Sequence, residues 1–182
     1  MQIKNKKYIL IIFLLSFLFN FNVSAEEFNI TAKEILIDKD NEILTGKGLV
    51  KAIDTSGRVI NADKITYTKP KNFILVEGNV KIVDVDGNIL LSEKATYDKM
   101  NEIITTFGET KLNLNEGYKL TSKDVVYDVN EEIISSNLNS IFSDSDGNII
   151  ETNMFQLNIK DNLFSSVGDI EIIDMKKNKY FF

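Results

Sequence analysis

The sequence has no cysteine, no histidine and no tryptophan, and only one proline in 182 residues. Without cysteine no disulfide can hold the chain together, so the fold depends on its core and its backbone hydrogen bonds. Without histidine the chain lacks the commonest general base and the commonest transition-metal ligand. The Ser–His–Asp and Cys–His catalytic arrangements therefore cannot be built. We expect no enzyme, no cofactor and no metal site.

Acidic residues outnumber basic ones, 27 to 21, and the formal net charge is −6. Three of the lysines, Lys4, Lys6 and Lys7, lie in a segment that we expect to be removed, which would make the mature chain more acidic still. A negative protein is repelled by the phosphates of nucleic acids and by anionic membrane surfaces. We therefore expect no nucleic-acid partner.

The first 25 residues are typical of a secretory signal peptide. A basic start is followed by an almost wholly apolar segment, 8–21, and then by the small residues Val23-Ser24-Ala25. The apolar segment is shorter than the roughly 20 residues that a membrane-spanning helix needs, which disfavours an uncleaved anchor. No cysteine follows Ala25, which excludes a lipid-anchored lipoprotein. We predict a signal peptide over 1–25 and one exported domain over 26–182.

One sequence unit recurs five times without an insertion, and its copies begin at Ile30, Ile60, Leu90, Leu120 and Ile150. Within each half of a copy, apolar and polar residues alternate, and Ile, Val, Thr, Tyr and Phe are frequent. This pattern predicts two strands per copy. Turns rich in Asp, Asn and Gly separate the strands and favour antiparallel hairpins. We therefore predict about ten antiparallel strands, each with one apolar face.

Glycine recurs in the middle of the second strand of four copies, at Gly48, Gly78, Gly108 and Gly168. We predict a bulge or bend at each, where the sheet curls over itself. The single proline, Pro70, lies in a turn, where its missing N–H costs no ladder hydrogen bond. Because no copy can bury its own apolar face, stacked neighbours share one core and leave two open ends. The strand edges at those ends invite pairing with another chain.

Three sets of apolar side chains form the candidate interior. The second strand contributes Ile74, Ile104 and Ile134 before the bend and Ile82, Leu112 and Phe142 after it, and the first strand contributes Tyr67, Tyr97 and Tyr127. Two adjacent apolar residues, such as Ile103 and Ile104, open each second strand, so the sequence leaves open which of them points inward. The tyrosines fit a binding stripe, but they are more typical of core residues stacked between strands.

Asp54, Asp84, Asp144 and Asp174 occupy one position of the unit, beside a turn. A residue that recurs in four of the five copies is expected to stabilise the copy rather than to catalyse a reaction. The loops 84–88 and 144–148, DVDGN and DSDGN, have some likeness to calcium loops. A complete calcium loop needs more oxygen ligands and a distal Glu at a fixed spacing. We predict β-turns that place glycine at positive φ.

The segment 60–67, INADKITY, followed by 75–82, LVEGNVKI, resembles the repeat of the OstA/LptA-like periplasmic domain of lipopolysaccharide transport. The later copies carry the same pattern, and the resemblance extends from Ile30 to the C-terminus. It implies an all-β fold, a twisted antiparallel β-jelly-roll shaped like a groove. Copy one has Gly48-Leu49 in place of Gly-Asn, and copy four has Leu138 in place of the glycine, so both depart from the pattern at a bend.

The resemblance further implies a non-enzymatic function in lipopolysaccharide transport and assembly. The apolar interior would receive the acyl chains of lipid A, and the domain would dock end to end with other OstA/LptA-like domains by strand pairing. The location would be the periplasm, or the periplasm in association with the outer membrane. Under this interpretation the candidate lipid-binding residues are Ile74, Ile82, Ile104, Leu112, Ile134, Phe142, Tyr67, Tyr97 and Tyr127.

Two kinds of member carry such a domain: a free-standing bridge protein and a larger outer-membrane assembly protein, which has it at its N-terminus. The abrupt stop at Tyr180-Phe181-Phe182, in the first strand of an unfinished copy, slightly favours the larger protein.

Two other hypotheses remain open. A structural β-solenoid or surface repeat protein without a lipid ligand would place its strands parallel, one copy above the next, whereas short turns favour antiparallel pairing. A hydrolase based on a carboxylate pair is the less favoured alternative.

Overall fold

The computed structural model describes residues 28–115 and 117–182, so the predicted signal peptide lies outside the described residues. The described residues form one antiparallel sheet of fourteen strands. The strands are β1 (Phe28–Thr31), β2 (Glu34–Asp38), β3 (Ile43–Asp54), β4 (Val59–Thr68), β5 (Phe73–Val83), β6 (Ile89–Asp98), β7 (Ile103–Asn113), β8 (Lys119–Lys123), β9 (Val126–Asp128), β10 (Ile133–Ser136), β11 (Ser140–Ser143), β12 (Ile149–Asn158), β13 (Leu163–Ile173) and β14 (Lys179–Phe181). Pro70 lies in a single 3-10 turn, Lys69–Lys71, between β4 and β5.

Neighbouring strands pair antiparallel along the whole array, and consecutive long strands pair with each other. The register recurs at the spacing of the sequence unit, since Ile60 faces Ile82 and, one unit later, Leu90 faces Leu112. This pairing confirms the predicted antiparallel fold. It also shows that the parallel arrangement of a β-solenoid is wrong for this chain.

Each long strand bends at its middle, so the sheet folds into two layers. The first layer contains β2, β9, β10 and the parts of the long strands next to the turns 38–42, 68–72, 98–102, 128–132 and 158–162. The second layer contains β1, β8, β11, β14 and the parts next to the turns 54–58, 84–88, 144–148 and 174–178. The two layers enclose the apolar side chains between them.

Left-handed residue pairs produce the bends in the N-terminal half. In β3, Gly48 and Leu49 have φ of 73° and 49°, and in β5, Gly78 and Asn79 have φ of 77° and 48°. The register shifts at both places. A Cβ on Gly78 would also lie 2.5 Å from Oδ2 of Asp63, so the bend needs glycine there for space as well as for conformation. The predicted bulges at these glycines are confirmed.

In the C-terminal half, buried hydroxyl groups satisfy the backbone at the bends. Oγ1 of Thr106 accepts a hydrogen bond from the N–H of Val125 at 2.9 Å. Oγ of Ser136 donates to the carbonyl of Lys123 at 2.7 Å and accepts the N–H of Leu138 at 3.2 Å. The strand is interrupted where Leu138 replaces glycine, which yields β10 and β11. Three breaks, between β1 and β2, β8 and β9, and β10 and β11, together with β14 of the unfinished sixth copy, give fourteen strands in place of the ten that the sequence predicts.

Alternation along the strands places every second side chain in the core, as expected for a sheet with one buried face. Ile74 and Val76 are buried, whereas Phe73 and Leu75 between them are only half-buried. Ile104 and Ile134 are likewise buried and Ile103 and Ile133 are not. The question that the sequence left open is thereby answered for copies two, three and four: the second residue of the apolar pair points inward. Within 28–115 and 117–182, no helix has the length and hydrophobicity required to cross a bilayer.

Leu49 tests the cost of the bend. Its φ of 49° is unfavourable for leucine, and its side chain is 76 % exposed. Asparagine tolerates this conformation better, so Leu49→Asn is expected to raise the free energy of unfolding by roughly 0.5–1 kcal/mol. Urea denaturation measures the change.

The control is Val85→Asn, because Val85 is also exposed but does not have a positive φ. It is expected to change the free energy of unfolding by less than about 0.5 kcal/mol. Equal gains in the two variants would show that removal of exposed apolar surface, and not relief of the backbone, is responsible.

Candidate functional site

The six aliphatic and aromatic residues predicted for the second strands all lie in the interior. Their exposed fractions run from 0 % for Ile74 to 6 % for Phe142. Ile82 and Leu112 come from the second layer and Ile104 and Ile134 from the first, and these four line a common crevice. Burial of each such side chain stabilises the fold by about 1.5–3 kcal/mol. The crevice measures only about 20 Å³, so the protein's own side chains fill this part of the interior.

The three predicted tyrosines are not equivalent. Tyr97 is buried, whereas Tyr67 and Tyr127 are half-buried. Phe28 packs edge to face against both Tyr67 and Tyr97, with ring centroids 5.3 Å and 6.1 Å apart. The Tyr67 hydroxyl donates to Oδ1 of Asn72 at 2.9 Å. The rings of Tyr67 and Tyr97 therefore pack inward, while their hydroxyls meet polar residues in or beside the turns.

Stacked aromatic rings fill the C-terminal half of the interior. Phe142 lies between Tyr118 and Phe164, with centroid distances of 5.5 Å and 4.8 Å, and Phe164 also stacks on Phe155 at 6.0 Å. Of these four aromatic residues, only Phe142 is among the interior residues predicted from the sequence. The available signal was the position of Phe164, which occupies the same place in its copy as Ile74 and Ile104.

The layers are joined covalently at the bends and meet again along the opposite edge. We call this edge the seam: the line along which first-layer turns face second-layer turns. At the N-terminal end of the interior, beside β1 and β2, a cavity of about 580 Å³ opens between the layers. Phe28, Ile30, Leu44 and Tyr67 contribute its apolar wall, and Lys39 and Lys69 lie among its polar lining residues.

One point of the seam is closed by a buried ionic cluster that the sequence analysis did not identify. Nη1 of Arg58 lies 3.1 Å from Oδ2 of Asp54 and 3.8 Å from Oε2 of Glu102, and it donates to the Tyr97 hydroxyl. Nζ of Lys99 lies 3.9 Å from Oδ2 of Asp54 and also pairs with Glu102. Asp54 and Arg58 belong to the second layer and the other three to the first. The available signal was that Arg58 is the only arginine in the sequence.

The cluster sets the ionisation of its members. Burial alone would raise the pKa of Glu102, but hydrogen bonds from Lys99 and Tyr97 and the charges of Lys99 and Arg58 outweigh it, and the pKa is lowered. Burial, together with the hydrogen bond to Glu102, raises the pKa of Tyr97 to about 12. The Lys99 pKa is raised, because hydrogen bonds to Glu102 and Tyr97 outweigh the opposing effect of burial. At neutral pH Lys99 and Glu102 are therefore charged, and Tyr97 is a neutral phenol between the layers.

The recurring aspartates stabilise their own turns. Oδ1 of Asp84 accepts the N–H groups of Asp86 and Asn88 at 3.0 Å and 2.8 Å, and Oδ2 accepts the Asn88 side-chain amide at 2.9 Å. Asp54, Asp144 and Asp174 accept equivalent backbone bonds. Gly87 has φ of 85°, as the predicted turn requires. These carboxylates are thus engaged in turn structure, and no three Asp or Glu side chains of the described segments converge as metal ligands would.

Replacement of Arg58 by methionine tests the strength of the seam cluster. Arg58→Met leaves Asp54 and Glu102 without their shared guanidinium, so we expect the free energy of unfolding to fall by about 3 kcal/mol. Urea denaturation at neutral pH measures the loss.

The matched control is Lys64→Met, which breaks the surface pair between Lys64 and Glu77, whose side chains are 43 % and 36 % exposed. That loss is expected to stay below about 1 kcal/mol. If both substitutions cost the same, the cluster does not hold the layers together.

No family model matches the sequence, and no curated protein matches it. Among solved structures the chain is similar to LptH of Pseudomonas aeruginosa, described as the LptA homologous periplasmic component of the conserved lipopolysaccharide transport device, with a TM-score of 0.56, 14 % sequence identity, and coverage of 60 % of this chain and 81 % of LptH. A match to the TCP10 domain of Danio rerio CPAP in complex with a STIL peptide covers 84 % of this chain and 97 % of that domain at 11 % identity, but its TM-score of 0.17 is too low for a shared fold. The resemblance noted in the sequence is therefore confirmed at the level of the fold, and the chain has the antiparallel LptA-like β-jelly-roll fold of LptH.

Proposed function

We propose that this chain is a non-enzymatic periplasmic component of lipopolysaccharide transport, and that its interior receives the acyl chains of lipid A. The observation that carries the proposal is an LptA-like fold whose two layers enclose one continuous apolar interior. The predicted signal peptide over 1–25 agrees with export to the periplasm.

The interior suits a lipid because its side chains recur from copy to copy. Burial of one CH₂ group is worth about 0.8 kcal/mol, so a whole acyl chain gains on the order of 10 kcal/mol. Ile82 and Leu112 occupy equivalent places in successive copies, as do Ile74, Ile104 and Ile134. A chain displaced by one copy therefore finds nearly the same surroundings. Equivalent sites of this kind allow transfer along the domain at little net cost in free energy, which a single closed pocket would not.

Binding requires the two layers to separate, because the core side chains now pack against each other. The bends at the glycine bulges keep the layers connected on one side, and the seam is the side free to widen. An acyl chain would then replace contacts that the layers make with each other, so apolar surface stays buried in both states.

End-to-end docking is supported by the strand edges at both ends. At one end, β2 pairs only with β3, and its Ile35, Leu36 and Ile37 are 43–66 % exposed. At the other end, β14 and the N-terminal part of β13 each pair on one side only within the described residues. Unpaired edges with exposed apolar side chains favour addition of a strand from another chain. We propose that other LptA-like domains supply that strand.

Site-specific photocrosslinking tests lipid binding. A photoreactive amino acid at Ile82, Leu112 or Phe142 is expected to give lipopolysaccharide adducts in a Gram-negative cell, because these positions face the interior. The same probe at Lys81, Lys111 or Ile141, the exposed neighbours on the same strands, is expected to give none.

Two outcomes would contradict the proposal. Adducts at both sets would indicate nonspecific labelling of the surface. Adducts at neither set, in protein that circular dichroism shows to be folded, would favour a structural repeat protein without a lipid ligand.

Docking is tested at the edge strand. Leu36→Lys places a charged side chain on the exposed edge of β2. Addition of a strand from another chain would remove water from this charge, and that cost opposes pairing. We expect the purified protein to lose concentration-dependent association, measured by sedimentation velocity.

Val85→Lys is the matched control, since Val85 is similarly exposed but lies in a turn away from either edge. If it reduces association as much as Leu36→Lys, association depends on apolar surface in general and not on the β2 edge.

A further inference from the structure

The seam is closed by opposite charges at one place and carries like charges at the next. We call the contact between turns 54–58 and 98–102 the latch. There two ion pairs join the layers. Nη1 of Arg58 lies 3.8 Å from Oε2 of Glu102, and Nζ of Lys99 lies 3.9 Å from Oδ2 of Asp54.

One copy further along, turns 84–88 and 128–132 face each other without such a bridge. We call this part of the seam the gap. Asn88 occupies the same position in its copy of the unit as Arg58 does in the copy before, and Val129 likewise corresponds to Lys99. The Asn88 side chain bonds within its own turn, to Asp84 at 2.9 Å. No ion pair joins the two turns among the residues that the structure describes.

Carboxylates approach the gap from both layers. Burial raises the pKa of the Tyr127 phenol to about 12, and the negative charges of Asp84, Glu132 and Asp86 add to the effect, while Arg58 opposes it. Asp84 and Asp86 belong to the second layer and Glu132 to the first, so carboxylates of both layers act on the same ring, and turns 84–88 and 128–132 contain no lysine or arginine. Repulsion between these carboxylates opposes closure at the gap, whereas attraction favours it at the latch.

The crevice of about 20 Å³ begins at the gap and leads to the proposed lipid-binding residues. Asp84, Asn88 and Tyr127 line its rim, and the side chains beneath include Ile82, Leu112, Ile104 and Ile134. It has room for about one water molecule and none for an acyl chain. Arg58 also lines the crevice, and its buried Nε has no acceptor among the described residues. Buried polar groups are normally hydrogen-bonded, so this donor is available to a polar group that enters through the gap.

We infer that acyl chains enter the interior sideways through the gap, between turns 84–88 and 128–132, while the latch holds the neighbouring part of the seam closed. This inference rests on the proposed function, and it assigns to that function a route of entry. A lipid would pass the rim with its apolar chain against Ile104 and Ile134 and its polar group near Arg58.

Crosslinked cysteine pairs test the route, because the chain has no cysteine of its own. A flexible bismaleimide joins exposed turn residues in the full mature protein: Asp86→Cys with Asn130→Cys spans the gap, and Ser56→Cys with Met100→Cys spans the latch. Met100→Cys with Asn130→Cys joins two turns of the same layer and serves as the control. Mass spectrometry verifies each link, and stopped-flow fluorescence follows uptake of pyrene-labelled palmitate from neutral vesicles.

The link across the gap is expected to slow uptake about tenfold or more, as for a closed gate. The links at the latch and within one layer are expected to leave uptake unchanged. Unchanged uptake with the gap linked would show that chains enter from an end of the domain, which overturns the inference and leaves the proposed function standing. Equal slowing by the gap and latch links would show that the whole seam opens, which overturns the gap as the route. Absence of uptake in the unlinked protein would instead contradict the proposed function itself.

Discussion

The bend in the middle of each long strand is the constraint on which the rest of the structure depends. A flat sheet of these strands would leave one apolar face in water. Because each strand turns at a bulge, its two halves place that face on opposite sides of one interior. Gly48-Leu49 and Gly78-Asn79 achieve the turn with left-handed backbone. In the C-terminal half Gly108 and Gly168 are also left-handed, and the hydroxyls of Thr106 and Ser136 bond backbone groups at the bends. The covalent connection of the layers, the seam and the open ends all follow from this geometry.

A repeating sequence yields a repeating interior, and that regularity has a functional consequence. Under the proposed function, equivalent apolar positions would offer an acyl chain nearly equal free energies along the domain, as a conduit requires. Direction and access must then come from residues that break the repeat. Arg58 and Lys99 are such residues, since Asn88 and Val129 stand at their places one copy later. Under the same proposal, the uniform part of the chain would account for binding of a lipid in general, whereas the irregular part accounts for where the layers hold together.

The aspartates illustrate why a recurring polar residue is a weak sign of catalysis. Each accepts N–H groups of its own turn, so the carboxylate that could have acted as an acid, a base or a metal ligand is engaged in backbone structure. The same bonds let turns of different sequence, TSGR in one copy and VDGN in the next, close adjacent strands with one geometry. Because the turns share one geometry, the strand register repeats at the spacing of the sequence unit.

The sequence by itself determined the strands, their antiparallel pairing, the bulges at glycine and the residues of the interior. These properties follow from the period-two pattern and from turn chemistry, which act over a few neighbouring residues. Only the tertiary structure decided that Ile104 rather than Ile103 points inward, because two adjacent apolar residues satisfy the pattern in either phase. It also decided the pairing of Arg58 with Tyr97 and Glu102, residues about forty positions away in the chain. Their contact depends on how far one layer is offset over the other, and that offset is set by the combined packing of all strands and is not encoded in any single segment.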